Sequence, residues 1–530
     1  MALPRSQSSN PQNDERAAFR SPDQEPPAPR WRGLVLPGVL ILVAGAMLFA
    51  KTRHYGLIGW DAYPLLATSR ILSLDDLVAT FTQPLMAGRF PAHFYRPVVN
   101  LSFALDYALS GFRPWAYQLT NLLLFCGCAG FVGLLVSRLS GKGARWAGLI
   151  SLLVFLLNPL HWEVIPVPAR RAEMLCGLFM AWSLWALASP ASLSRRWPAI
   201  GPALLCLLAL ASKETAILLP GLAFLTIWWW SPRGSMVGRL THAMVAVAPY
   251  LLAVGIWVAA RYAVLGGIRG NHAISFDQLG TDVGWRLLTR LTFPQPAIGE
   301  SVLSPWLGGL AGGFVVIALL LGMLASRRGV GTAEHVAERR TPWAAGVAVA
   351  MLVSLVAIYT IAAEMRSWYL FLPVMAVSML VGTIGDELLL LMRRGQVGVR
   401  VVAAIATLLL GTFIGWQARY SPLLYNYDEW DRATVASDAF FDELRTRIDQ
   451  ADNGSIITAP RLPSWVKARS DTAVVRGGQT LNDYTVQAWA DLVFPDRWIR
   501  ILPANRRNWN PPPPDPDELV VRLTGYRRDF

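Results

Sequence analysis

The sequence predicts an all-α polytopic membrane protein of about eleven transmembrane helices, with a small α/β segment toward its C-terminal end. Three observations predict it. Apolar stretches of about 20 residues recur, each long enough to cross a ~30 Å hydrocarbon core. Of the 530 residues, 54% are hydrophobic and only 16% charged, against roughly 25% charged in soluble chains. The basic residues also gather in alternate connections, as the preference of Lys and Arg for cytoplasmic loops requires.

The elements follow in order. Residues 1–31 are polar and rich in Pro, Gln and Arg. They have too little apolar surface to offset ordering entropy, so a disordered cytoplasmic tail is expected. The apolar run from Trp31 to about Ala50 lacks a small-residue cleavage site and reads as a retained anchor. Spans are expected at roughly 33–51, 116–137, 145–160, 171–188, 198–212, 214–231, 242–264, 305–325, 343–362, 369–391 and 399–417. With the N-terminus in the cytoplasm, every inner loop is basic: Arg138, Lys142 and Arg145; Arg195 and Arg196; Arg233 and Arg239; Arg327, Arg328, Arg339 and Arg340; Arg393, Arg394 and Arg400. The odd number of spans then puts the C-terminal segment outside.

The expected organisation is thus a tail at 1–31, a membrane domain at 32–417 with long outer loops at 52–115 and 265–304, and an extracytoplasmic segment at 418–530. The first outer loop is amphipathic around Leu65–Phe81 and Val98–Leu109, which predicts surface-lying helices. The last segment has a helical pattern at Ala433–Gln450, a strand-like run at Ser455–Thr458 and a polyproline II stretch at Pro511–Pro514. The expected location is the cell membrane.

The net charge of +13 is accounted for by loops facing anionic lipid rather than by nucleic acid. Cys126, Cys128, Cys176 and Cys206 all lie in apolar segments, with no disulfide framework or zinc spacing. The 22 tryptophans suit interfacial belts.

Against this background the ionisable residues near membrane depth stand out, because charge there is costly and usually marks a site. Asp61, Glu163, Arg170, Arg171, Glu173, Lys213, Glu214 and Arg366 all map to the outer side. Asp61, in Gly59-Trp60-Asp61-Ala62-Tyr63, can serve as a general base or as a helix cap. Arg96, in Tyr95-Arg96-Pro97, can fork onto a phosphate or pair with an acid such as Asp106. Asn158-Pro159-Leu160-His161-Trp162-Glu163 leads to Arg170-Arg171-Ala172-Glu173, which gives either a polar pocket lining or a self-satisfied ion-pair network. His161 has no second histidine at metal-ligand spacing. Ser212-Lys213-Glu214 forms a whole outer turn, whose plain reading is an internal Lys213–Glu214 pair. Arg366-Ser367-Trp368-Tyr369 opens a late span and suits interfacial anchoring or an anionic leaving group.

Taken in order, these motifs resemble the GT-C glycosyltransferases, especially the transmembrane and tetratricopeptide-repeat O-mannosyltransferases and their bacterial relatives. Those enzymes carry acids after the first span, then Tyr-Arg-Pro-Leu, His-Pro-x-His-x-Glu, Ser-Lys-Glu and a late Arg-Tyr-Leu-Tyr-Leu-Pro. The resemblance covers about residues 55–375. There are departures. Asp61 stands alone where two adjacent acids are usual, Gln118 and Asn158 replace histidines, and Glu173 replaces aspartate. Arg366 lies three positions before Tyr369, and the C-terminal segment has no tetratricopeptide pattern.

The resemblance implies a GT-C fold and an inverting transfer of a sugar from a polyprenyl phosphate to an extracytoplasmic protein, glycan or lipid acceptor. Asp61 would be the base, and Arg96, Lys213 and Arg366 would bind the donor phosphate. His161, Glu163, Arg170, Arg171, Glu173 and Glu214 would line the pocket. No cofactor, metal or nucleic acid is expected. On the residues alone, a polar-lipid transporter or flippase and a non-catalytic scaffold stay open. Transporters, however, hold their sites near the midplane between repeated halves, and no internal repeat is visible.

Overall fold

The computed structural model describes residues 32–90, 93–141, 144, 146–189, 199–230, 235–267, 281–292, 341–362, 366–459, 463, 465–467 and 477–503. The expected tail at 1–31, the span at 305–325, most of the loop at 265–304 and the Pro511–Pro514 stretch lie outside these residues.

The first half is built from α1 (Arg32–Thr52), α2 (Ala62–Thr68), α3 (Leu74–Thr82), α4 (Pro97–Ser110), α5 (Pro114–Ser140), α6 (Ala147–Leu156), α7 (Arg171–Leu187), α8 (Ile200–Leu210) and α9 (Leu219–Trp230). Next come α10 (Met236–Leu265), α11 (Thr281–Thr292), α12 (Thr341–Ile361), α13 (Phe371–Arg394) and α14 (Val397–Arg419). The remainder holds α15 (Glu429–Asp449), β1 (Ile456–Ala459), β2 (Trp465–Lys467), β3 (Gly477–Gln479), α16 (Asp483–Val493) and β4 (Arg500–Pro503).

Helix starts follow local chemistry. Pro97 and Pro114 open α4 and α5, where a missing N–H costs nothing. Ser73 and Asp76 form a capping box on α3.

Six described helices are long and apolar enough to cross a membrane: α1, α5, α10, α12, α13 with the turn before it, and α14. The chain is a multi-pass membrane protein. Leu34, Val35 and Leu42 on α1, and Val401, Ile405 and Leu408 on α14, are exposed apolar residues of the kind that face lipid.

The expected spans at 145–160, 171–188, 198–212 and 214–231 emerge as helices of 10, 17, 11 and 12 residues. A 10-residue helix is only about 15 Å long. Proline explains part of the shortening, because the residue before a proline resists helical geometry. Asn158-Pro159 stops α6, and short 3₁₀ turns at Pro159–Glu163 and Pro168–Arg170 take over. Likewise α8 ends at Leu210, Lys213 is extended, and Glu214–Leu218 is a 3₁₀ turn. These breaks free the backbone that carries the charged motifs.

α6 packs between α5 and α13 through small residues. A Cβ on Gly382 would lie 1.9 Å from Ser151 Oγ and 2.4 Å from Ala147 O, so only glycine permits this approach.

After α14 the chain folds back over one end of the bundle. β1 and β4 pair in parallel, with Ile457 opposite Ile501, and β2 pairs with β3 antiparallel. Phe441 stacks on Trp489 at 4.4 Å above a core that includes Leu444, Ile448 and Ile501. This segment is tied to the bundle. Lys51 Nζ donates to the carbonyls of Pro422 (2.8 Å) and Tyr425 (3.1 Å), and Trp430 Nε1 donates to Trp162 O at 3.1 Å.

Candidate functional site

The turn after α1 sets Asp61. Gly59 has φ of +100°, and a Cβ there would meet Val167 Cγ1 at 2.6 Å. Both facts call for glycine. The facing loop is held by Gln118 Nε2 on Pro166 O (3.0 Å) and Asn121 Nδ2 on Ile165 O (3.1 Å). Asp61 occupies the N-cap position of α2 but makes no capping hydrogen bond. Instead, Oδ1 accepts a 2.6 Å hydrogen bond from Tyr484 Oη on α16. The next residue, Thr485, donates to Trp60 O. Asp61 is half-buried. Burial raises its carboxyl above the ordinary carboxylate range, while the Tyr484 hydrogen bond and the charges of Arg96 and Arg170 pull it back down.

Four ion pairs belong to the same charged cluster as this carboxylate, two of them sharing Glu163. Arg96 grips Glu214 with two bonds, Nε at 3.1 Å and Nη2 at 2.7 Å. Lys213 Nζ donates to Glu173 Oε1. Arg170 Nη1 lies 3.3 Å from Glu163 Oε2, and Arg290 Nη2 lies 4.0 Å from Glu163 Oε1. Among the described residues, Asp61 is the one carboxylate of this cluster with no cation at ion-pair distance.

Aromatic faces complete the lining. Lys213 Nζ sits 4.5 Å from the centre of the Tyr369 ring, which stacks on Tyr359 at 5.3 Å. Arg170 lies 4.1 Å over Trp368, and Arg96 lies 4.1 Å over Phe94. Such contacts hold a cation with little loss of its charge.

Several expected pairings are corrected. Lys213 and Glu214 do not pair with each other. The backbone is extended at Lys213, and successive side chains on extended backbone point to opposite sides. Lys213 therefore meets Glu173, and Glu214 meets Arg96. Arg96 does not take Asp106, which pairs with Arg171 at 2.7 Å.

Arg171 is not in the pocket lining with Arg170. It is fully buried and bound to Asp106, Asn121 Oδ1, Ser102 O and Tyr117 O, because neighbouring residues at a helix start diverge by about 100°. His161 is not in the polar lining either. Phe125, Phe155 and Phe371 cage it at 4.3–5.2 Å, and burial pushes its imidazole down to about 3. It is neutral at physiological pH. Arg366 is exposed at the start of a 3₁₀ turn, 5.9 Å from the centre of the Trp368 ring.

Other residues of the site were not anticipated. Tyr484 and Thr485 belong to the C-terminal segment and have no local signal. Arg261 is buried near the end of α10, close enough to act on Glu214 and Arg96. A charge inside an expected span was the signal that could have found it. Among the described residues, no group of three His, Cys, Asp or Glu side chains is placed to hold a metal ion.

No family model matches the chain. Part of it is 40% identical, over 90 residues, to a protein O-mannosyl-transferase of Xenopus laevis, covering 17% of this chain and 10% of that one. It is 35% identical over 97 residues to a human protein O-mannosyl-transferase, covering 16% and 13%. The matched part is thus about a tenth of the length of these relatives. Among solved structures, ArnT from Cupriavidus metallidurans bound to undecaprenyl phosphate aligns over 89% of this chain and 90% of its own, at 16% identity and a TM-score of 0.45. By its sequence, the chain is similar to the protein O-mannosyl-transferases and, with them, to the GT-C glycosyltransferases that its motifs resemble.

Proposed function

We propose that this protein is an inverting glycosyltransferase that moves a sugar from a polyprenyl phosphate to a protein, glycan or lipid acceptor on the extracytoplasmic side. In this reading residues 32–417 form the membrane domain and 418–530 the extracytoplasmic segment. The acceptor hydroxyl attacks the anomeric carbon, the bond from that carbon to the phosphate oxygen breaks, and polyprenyl phosphate leaves. Asp61 takes the hydroxyl proton. Arg96, Lys213 and the exposed Arg366 offset the charge gathering on the phosphate. Glu214 holds Arg96, Glu173 holds Lys213 and Glu163 holds Arg170.

One observation carries the proposal. Among the described residues, every other acid of the cluster is engaged by a cation, whereas the Asp61 side chain is partly accessible and bonded only by a neutral hydroxyl. An acid so placed can accept a proton, which one locked in an ion pair cannot readily do. The test is transfer of label from a panel of radiolabelled polyprenyl-phosphate sugars in vesicles, comparing wild type with Asp61→Asn. Label released in the wild type and not in the variant supports the reading. Label that crosses the bilayer without transfer would favour a flippase.

A further inference from the structure

We propose that Tyr484 is a positioning residue for this transfer, holding Asp61 in the rotamer from which its second carboxylate oxygen faces the acceptor hydroxyl. The inference rests on the reading of Asp61 as the base. Tyr484 Oη occupies Oδ1 at 2.6 Å, which leaves Oδ2 as the oxygen for a proton.

The tyrosine is itself fixed. Its ring lies 6.0 Å from that of Phe90, within a cluster that includes Leu65, Leu66 and Leu85. With Thr485 on Trp60 O, two consecutive residues of α16 hold two consecutive residues of the Asp61 turn. A base held in one geometry reacts without first losing rotamer freedom. The other charges acting on Asp61 are Arg96 and Arg170. Packing alone needs only the Tyr484 ring, so the hydroxyl is what distinguishes a positioning role.

The experiment uses the full-length protein in vesicles and two readouts. The first needs no donor: an infrared pH titration of the carboxyl band that Asp61→Asn removes. Tyr484→Phe keeps the ring and should move the midpoint to higher pH. Replacing Tyr484 with a ring-fluorinated tyrosine keeps the shape, strengthens the donor and should move it lower. The fluorinated form also decides the matter if the phenylalanine form misfolds. The second readout is kcat against KM with the polyprenyl-phosphate sugar active in the transfer assay. Tyr484→Phe should lower kcat about tenfold, as loss of a hydrogen bond to a charged group does, with KM within about twofold. An unmoved midpoint or an unchanged kcat overturns the positioning role. Turnover surviving in Asp61→Asn overturns the base assignment itself.

Discussion

Arg96 commits the Nε and Nη2 edge of its guanidinium to Glu214 and leaves Nη1 without a partner among the described residues. Stacked on Phe94 and acting on Asp61, it is aimed by one acid and keeps donors in hand for an anion. Arg96→Lys keeps the charge but loses the planar fork. Donor use should fall roughly ten- to a hundredfold, the cost of a lost charge-assisted hydrogen bond, while the melting temperature changes little. Kinetics and melting on the same purified protein check it, and unchanged donor KM and kcat would sink the phosphate role of Arg96.

The pH profile should report the Asp61 carboxylate. Its value is raised on folding, so the neutral acid favours the folded state. That stabilisation is complete below the ordinary carboxylate value near 3.8 and is lost as pH rises through the folded value. Activity needs the anion and should therefore rise across the same window, with its acid limb above 3.8. A limb at or below the ordinary value contradicts this.

Lys213→Met strands Glu173 in a buried setting. Removing one partner of a buried pair costs about 3–5 kcal/mol, so a clear fall in melting temperature is expected. Adding Glu173→Leu should recover part of it. If the double variant is no more stable than the single, the pair is not the origin of the loss.

Gly59→Ala should strain the Asp61 turn by roughly 1–3 kcal/mol, because a side chain must adopt positive φ and push against Val167. Trimming with Val167→Ala relieves the contact but not the backbone, so turnover should recover only in part. Full recovery in the double variant would mean that φ is unimportant here.

The proposed orientation has its own check. A cysteine at Gly454 should react with an impermeant thiol reagent in intact cells, and one at Gln396 should not. The opposite pattern would move the whole site to the cytoplasm.

What the sequence disclosed, and what it hid, follows from the range of the forces involved. The long apolar runs were legible because crossing lipid constrains each segment by itself. The charged motifs were visible because ions at that depth are conspicuous in any sequence. Their pairing was not, because it depends on side-chain direction. Lys213 and Glu214 are neighbours that point apart, and so are Arg170 and Arg171. The shortness of α6 was written in Asn158-Pro159, a signal easily lost inside an apolar run. Tyr484 could not be found locally, since nothing near it distinguishes a tyrosine that reaches Asp61 from one that merely packs.

The reach of that tyrosine also fixes an order of assembly. Asp61 and its partner are 423 residues apart, and at ~5–20 residues per second the acid is synthesised roughly 20–85 s before the hydroxyl that grips it. Throughout that interval the bundle can be inserted and its ion pairs closed while the carboxylate stays unclasped. On a growing chain the turn that bears Asp61 therefore stays open until α16 has been made and docks on Trp60 and Asp61.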